Sequence, residues 1–179
     1  MFKQPYIYTI TSWDQAEKCL QSSYKTVFLL TGKMMDLPEY VYQLQNAGKT
    51  VFVHVDFISG IECHTPDGMN YVAEVIAPDG IISTRSQSII QGKKNGLKTI
   101  QRIFLIDTHA MEKAIETAIK IQPDAIEAMP GLMPRVITEL VNIVPFPVVA
   151  GGLFKTKEEM SAALEAGATA VSASNIGDV

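Results

Sequence analysis

Polar residues of this sequence gather at the ends of its apolar runs, where side chains leave a sheet and can reach a ligand. "HVD" carries His54 and Asp56 on alternate positions, so both face one side of an extended run. "STRS" brings Thr84 and Arg85 together. Arg102 lies within "IQRIFLI", which ends at Asp107 and Thr108, and Glu127 lies within "DAIEAM". The guanidinium groups of Arg85 and Arg102 suit phosphate or carboxylate oxygens, while Asp56, Asp107 and Glu127 can accept hydrogen bonds from hydroxyls. The last two apolar runs end in small residues instead. Gly151 and Gly152 in "VVAGGLF" have no Cβ and let backbone N–H groups approach an anion, and Ser172, Ser174 and Asn175 add side-chain donors. Together these residues describe a site for a small polyol phosphate. Two blander readings stand beside it: the charges pair with one another in the interior, and the glycines only permit a tight turn.

Other chemistries find less support. His54, Asp56, Cys63, His64 and Asp67 match no structural zinc spacing, so no metal site is expected. Cys19 falls in an amphipathic stretch expected at the surface, Cys63 in a long loop, and no lysine lies inside a candidate strand, which argues against a nucleophilic or Schiff-base enzyme. Acid/base work by Asp56, Asp107 or Glu127 stays open.

The elements that must position these residues alternate regularly. Strands are expected at 6–10, 26–30, 50–55, 80–83, 100–106, 124–129, 146–150 and 169–174. Helical patterns lie between them. Ser12 followed by Gln15 predicts a capping box, Pro38 and Gly48 bracket "PEYVYQLQNAG", and "HAMEKAIETAIKI" repeats apolar residues at helical spacing. "KEEMSAALEAGA" opens with acids and ends with glycine, as the helix dipole and a C-terminal cap prefer. Eight strands joined by helices predict an α/β fold, a compact TIM-like (β/α) barrel of parallel strands with the last helix missing or truncated. The functional face would then be the loops after the strands, with phosphate bound after strands seven and eight. An open doubly wound sheet is the alternative.

Composition sets the outer bounds. The 179 residues fit a single domain, 1–179, with one core. Hydrophobic residues make up 47% and no apolar run approaches membrane-spanning length, so a soluble, cytoplasmic protein is expected. Two cysteines make no disulfide framework, and a net charge of −4 excludes a broadly basic surface.

In order and spacing, "VHVDFISGI", "ISTRS", "IQRIFLIDTHAMEK", "PDAIEAMPG", "AGG" and "AGATAVSASN" resemble the glycerol uptake operon antiterminator regulatory protein family. The resemblance spans nearly the whole chain from the second strand onward; the first strand departs from it, and His109 stands where a small residue is expected. It implies a barrel-like sensor of glycerol 3-phosphate that binds the leader of a glycerol-utilisation messenger RNA and prevents premature termination. By motif, the implied ligand residues are Asp56, Arg85, Arg102, Asp107, Glu127, Gly151, Gly152, Ser174 and Asn175, with no catalytic residue and no cofactor beyond the effector. No RNA contact carries over by motif. The local basic cluster is Lys93, Lys94 and Lys98, with Lys155 and Lys157 near the phosphate loop. The sequence is compatible with a homo-oligomer. The alternative function is a barrel enzyme turning over a phosphorylated triose or polyol by acid/base chemistry.

Overall fold

Alternation of period two in the apolar runs resolves into eight short parallel strands. In the computed structural model, which describes residues 1–174, these are β1 (Tyr6–Ile10), β2 (Thr26–Leu29), β3 (Thr50–His54), β4 (Gly80–Ser83), β5 (Lys98–Phe104), β6 (Ala125–Met129), β7 (Val148–Gly151) and β8 (Ala170–Ala173). Each pairs with the next, and β8 returns to β1 with Tyr6 beside Val171 and Tyr8 beside Ala173. The barrel is therefore closed, and the open-sheet alternative is overturned. The seven helices among the described residues are α1 (Trp13–Leu20), α2 (Leu37–Asn46), α3 (Pro66–Tyr71), α4 (Ser86–Lys94), α5 (Thr108–Ile121), α6 (Pro134–Ile143) and α7 (Lys157–Glu165). The expectation about a closing helix falls after β8, outside the described residues. None of the described helices is long and apolar enough to cross a membrane.

Local differences have local causes. Strand β5 begins at Lys98 and ends at Phe104, two residues earlier at each end than the apolar run suggests, because Lys98 pairs with Gly80 and Phe104 with Met129. The expected capping box at α1 does not form. Gln15 Oε1 instead accepts from the Thr11 backbone N–H at 2.7 Å and its hydroxyl at 3.0 Å, one residue ahead of Ser12. A capping box does form at α7, where Thr156 and Glu159 satisfy each other's backbone N–H groups. Cys19, expected at the surface, is buried beneath α1. In the third crossover α3 runs into a π-helical turn at Val72–Ile76, and a 3-10 turn at Val55–Phe57 follows β3 directly.

One residue of each strand fills the barrel centre: Ile7, Phe28, Phe52, Ile82, Ile100, Ala125, Val149 and Ala170 form a single cluster. Two larger clusters lie outside the strands, under α1 to α3 and under α5 to α7. Because side chains alternate along a strand, residues two positions beyond the central layer point inward again, toward the carboxyl ends. That second layer holds Thr9, Leu30, His54, Thr84, Arg102, Glu127, Gly151 and Ser172, polar but for Leu30 and Gly151. The apolar layer is thus a floor and the polar layer a mouth.

Candidate functional site

Arg102 and Glu127 sit side by side because β5 and β6 pair in register at these positions. Arg102 Nε donates to Glu127 Oε2 at 2.7 Å, and Ser172 Oγ donates to Glu127 Oε1 at 2.7 Å. Arg102 is 5% exposed and Glu127 1%, so the carboxylate is neutralised where water cannot screen it. The guanidinium keeps its Nη1 and Nη2 amino groups for a further acceptor.

Above this relay lies a cavity of about 190 Å³ at the barrel mouth, lined on one side by Thr9, Leu30, Arg102, Glu127 and Ser172. The other side comes from Met129, the segment Gly152 to Phe154, and Ala173 and Ser174. Both loop glycines are dictated by space. A Cβ at Gly151 would lie 2.5 Å from Ser172 Oγ and 2.8 Å from Glu127 Oε1, displacing the relay. Gly152 has φ +80° and a Cβ there would meet Met129 Cε at 2.5 Å. Leu153 also adopts a left-handed φ of 66° and is 70% exposed, so two successive residues at this loop hold a conformation unusual for the chain. The α7 capping box closes the segment, with Glu159 Oε2 also accepting from Lys155 N at 2.7 Å.

The residues singled out from the sequence divide among three places. Arg102, Glu127, Gly152 and Ser174 line the mouth cavity, and Gly151 lies directly behind it. Asp56 and Arg85 line a separate recess of about 180 Å³ with Cys63, His64 and Ser88. There Asp56 ties β3 to β4, accepting from Ser83 Oγ at 2.6 Å, Thr84 N at 2.8 Å and Thr84 Oγ1 at 2.7 Å. Burial works to raise the Asp56 pKa, but these hydrogen bonds outweigh it and hold the carboxyl below its ordinary range. Asp107 lies elsewhere again. It is the N-cap of α5, accepting from Ala110 N at 2.7 Å, and borders an outer groove with Met111, Met133 and Arg135. Asn175 lies outside the described residues.

His54 belongs to the mouth layer but is sealed beneath it. Burial, and then the charge of Arg102, push its pKa down to about 3, so it is neutral at pH 7 and its 4.0 Å approach to Asp56 is no ion pair. Neither ring nitrogen has a hydrogen-bond partner among the described residues. Burial and the Asp56 charge push the Cys63 thiol up to about 11, which leaves it protonated and unreactive. No group of three or more His, Cys, Asp or Glu side chains among the described residues could hold a metal ion.

The basic cluster lies at the opposite end of the barrel. Lys93 Nζ donates to the Ile121 carbonyl at 3.2 Å and to that of Gln122, fastening α4 to the end of α5, and Lys98 pairs with Asp124 at 3.2 Å. Lys94 is exposed beside them. Sequence reasoning did not select Thr9, Leu30, Leu153 or Phe154 for the mouth. The signal for Thr9 was available: it stands two residues beyond the fully buried Ile7.

Known proteins share both the barrel and its sequence. A crystal structure of the glycerol uptake operon antiterminator regulatory protein from Listeria monocytogenes is 33% identical, covers 97% of this chain and 93% of its own, and superposes with a TM-score of 0.92. A glycerol uptake operon antiterminator-related protein from Thermotoga maritima is 30% identical, covers 97% of this chain and 96% of its own, with a TM-score of 0.85. The uncharacterized protein YgcP of Escherichia coli is 28% identical over 175 residues, 98% of this chain and 91% of its own. Solved enzyme barrels at 11–18% identity share the fold alone. Residues 6–177 match the glycerol-3-phosphate responsive antiterminators, the family to which this chain belongs.

Proposed function

We propose that the barrel mouth binds glycerol 3-phosphate and that the protein uses this occupancy to control its grip on the leader RNA of glycerol-utilisation genes. The observation that carries the reading is the buried Arg102–Glu127–Ser172 relay lying directly beneath the backbone of Gly152 to Phe154. The relay fixes the guanidinium so that its remaining N–H donors meet an anion without first having to be ordered. The left-handed backbone after β7 and the Ser174 hydroxyl flank the same space, and Thr9 is placed to meet a hydroxyl of the glycerol moiety.

Sensing is favoured over turnover by what the cavity contains. Glu127 is the one carboxylate among the described lining residues and is already held by Arg102 and Ser172, and none of those described residues is His, Cys or Lys. The fold hosts many enzymes, but a general base must be free to take a proton from the substrate.

Calorimetric titration tests the ligand, with glycerol and inorganic phosphate as controls. Glycerol 3-phosphate is expected to bind more tightly than either fragment, and Gly152→Asp, which brings a negative charge and a Cβ into contact with Met129, is expected to weaken it at least about tenfold. Equal affinity in the variant would put the ligand elsewhere. Consumption of glycerol 3-phosphate on prolonged incubation would replace the sensor by an enzyme. RNA binding is tested by titrating leader transcript with and without the effector.

A further inference from the structure

Strand β4 stops at Ser83, opposite Gln101, whereas β5 continues to Phe104. The edge of β5 from Arg102 to Phe104 therefore has β6 on one side and no strand on the β4 side. Against this edge, between α4 and α5, lies a groove of about 340 Å³, larger than the mouth cavity. Gln101, Ser86, Lys113 and Thr117 line it, and Arg102 lines both it and the mouth.

Gln101 is 5% exposed and half satisfied. Its Nε2 donates to the Thr84 carbonyl at 2.9 Å and the Arg102 carbonyl at 3.3 Å, while its Oε1 is buried with no hydrogen-bond partner among the described residues. A buried orphan acceptor costs free energy unless something donates to it. Lys113 brings positive charge to the same groove, and Phe104, 49% exposed, lines it. The volume lies at the lower end of small-ligand sites, about 300–1,000 Å³. A phosphate for Lys113, a hydroxyl or amine donor for Gln101 and a flat face for Phe104 are the three parts of a nucleotide.

We propose that this groove takes one nucleotide of a single-stranded RNA: its phosphate at Lys113, its ribose 2′-hydroxyl or an exocyclic amine at Gln101 Oε1, and its base on Phe104. The proposal rests on the RNA-binding function proposed above and assigns that function a surface. The Lys93, Lys94 and Lys98 cluster lies at the other end of β5, with two of its three members holding structural contacts.

The experiment uses the full chain and the leader transcript of the glycerol-utilisation operon from the same genome, prepared with 4-thiouridine for photocrosslinking, with saturating glycerol 3-phosphate present. The crosslink is expected within residues 101–117. Phe104→Ala and Lys113→Ala are each expected to raise the RNA Kd about tenfold, as loss of a stacked base or a phosphate contact does, while Tyr42→Ala, an exposed aromatic on α2, leaves it unchanged. Calorimetry on the same variants is expected to show unaltered glycerol 3-phosphate affinity. RNA bound by wild type but equally by both variants, with crosslinks elsewhere, would overturn the groove and leave the antiterminator reading standing. Failure of wild type to bind the transcript with or without effector would overturn both. Loss of glycerol 3-phosphate affinity in Phe104→Ala would make the groove part of the small-ligand site and overturn its assignment to RNA.

Discussion

Arg102 does two things at once. Its Nε holds the buried Glu127, and the rest of its head faces the mouth cavity. These roles separate energetically. Removing one member of a buried ion pair leaves the other charge uncompensated, at a cost of roughly 3–5 kcal/mol, whereas replacing both by apolar groups is often near neutral. Arg102→Met is therefore expected to lose about 3–5 kcal/mol in urea denaturation at pH 7, and Arg102→Met/Glu127→Met to recover most of it. A single variant within about 1 kcal/mol of wild type would mean that the buried pair carries little structural weight. Neither variant would bind the effector, so this pair measures the relay's structural weight apart from its binding role. The relay was only partly legible in the sequence. Both charges stood out as polar residues inside apolar runs, but their partnership depends on the β5–β6 register, which pattern alone leaves open.

At the scale of elements, the end of β3 is a pH-sensitive joint in the barrel. Neutral His54 lies at the last position of β3, and ionised Asp56, in the turn that follows, clasps Ser83 and Thr84 at the end of β4. The folded pKa of His54 is depressed to about 3, below the unfolded value near 6.5, so its stabilising contribution is complete above about pH 6.5 and declines as pH falls toward about 3. Asp56 is also depressed when folded, so its contribution too is present at neutral pH and declines only in stronger acid, below the ordinary carboxylate pKa. Stability is expected to fall by about 2–3 kcal/mol between pH 7 and pH 4.5 from His54 alone, and His54→Leu should remove most of that slope. A wild-type protein equally stable at both pH values would refute a dry His54. The strands themselves were almost fully legible, because a parallel barrel buries both strand faces and so writes each strand as a short apolar run. Cap chemistry was less so. The Ser12–Gln15 pair and the Thr156–Glu159 pair share one spacing, yet in the first the glutamine side chain reaches Thr11, a choice made by loop geometry. Asp107 shows the same ambiguity from the other direction, since a carboxylate at a strand end reads equally as a ligand group or as the N-cap it is.

The whole molecule joins the two proposed sites through one residue. The mouth opens within the ring of strands, the groove lies outside it over β5, and Arg102 forms a wall of each. Nothing in the sequence pattern marks this, because the groove arises from the unequal lengths of β4 and β5, which become visible only once the strands are in register. An effector held by this guanidinium and an RNA laid along the β5 edge meet the same residue from opposite sides of the strand, so the two affinities are expected to be linked reciprocally. Effector binding that fixes Arg102 steadies that edge and spares the RNA part of the cost of ordering it. Saturating glycerol 3-phosphate is expected to tighten leader RNA binding by a factor of roughly 5 to 150, and saturating RNA to tighten glycerol 3-phosphate by the same factor. Arg102→Lys supplies the discriminating case. It retains a charge for Glu127, and hence the fold, but lacks the planar fork that can hold Glu127 and the effector together. In this variant each ligand is expected to bind more weakly on its own, and the factor between them to fall toward one. A variant that weakens both ligands yet keeps the full factor would show that the coupling runs through the loops after β7 and β8 and not through the wall they share.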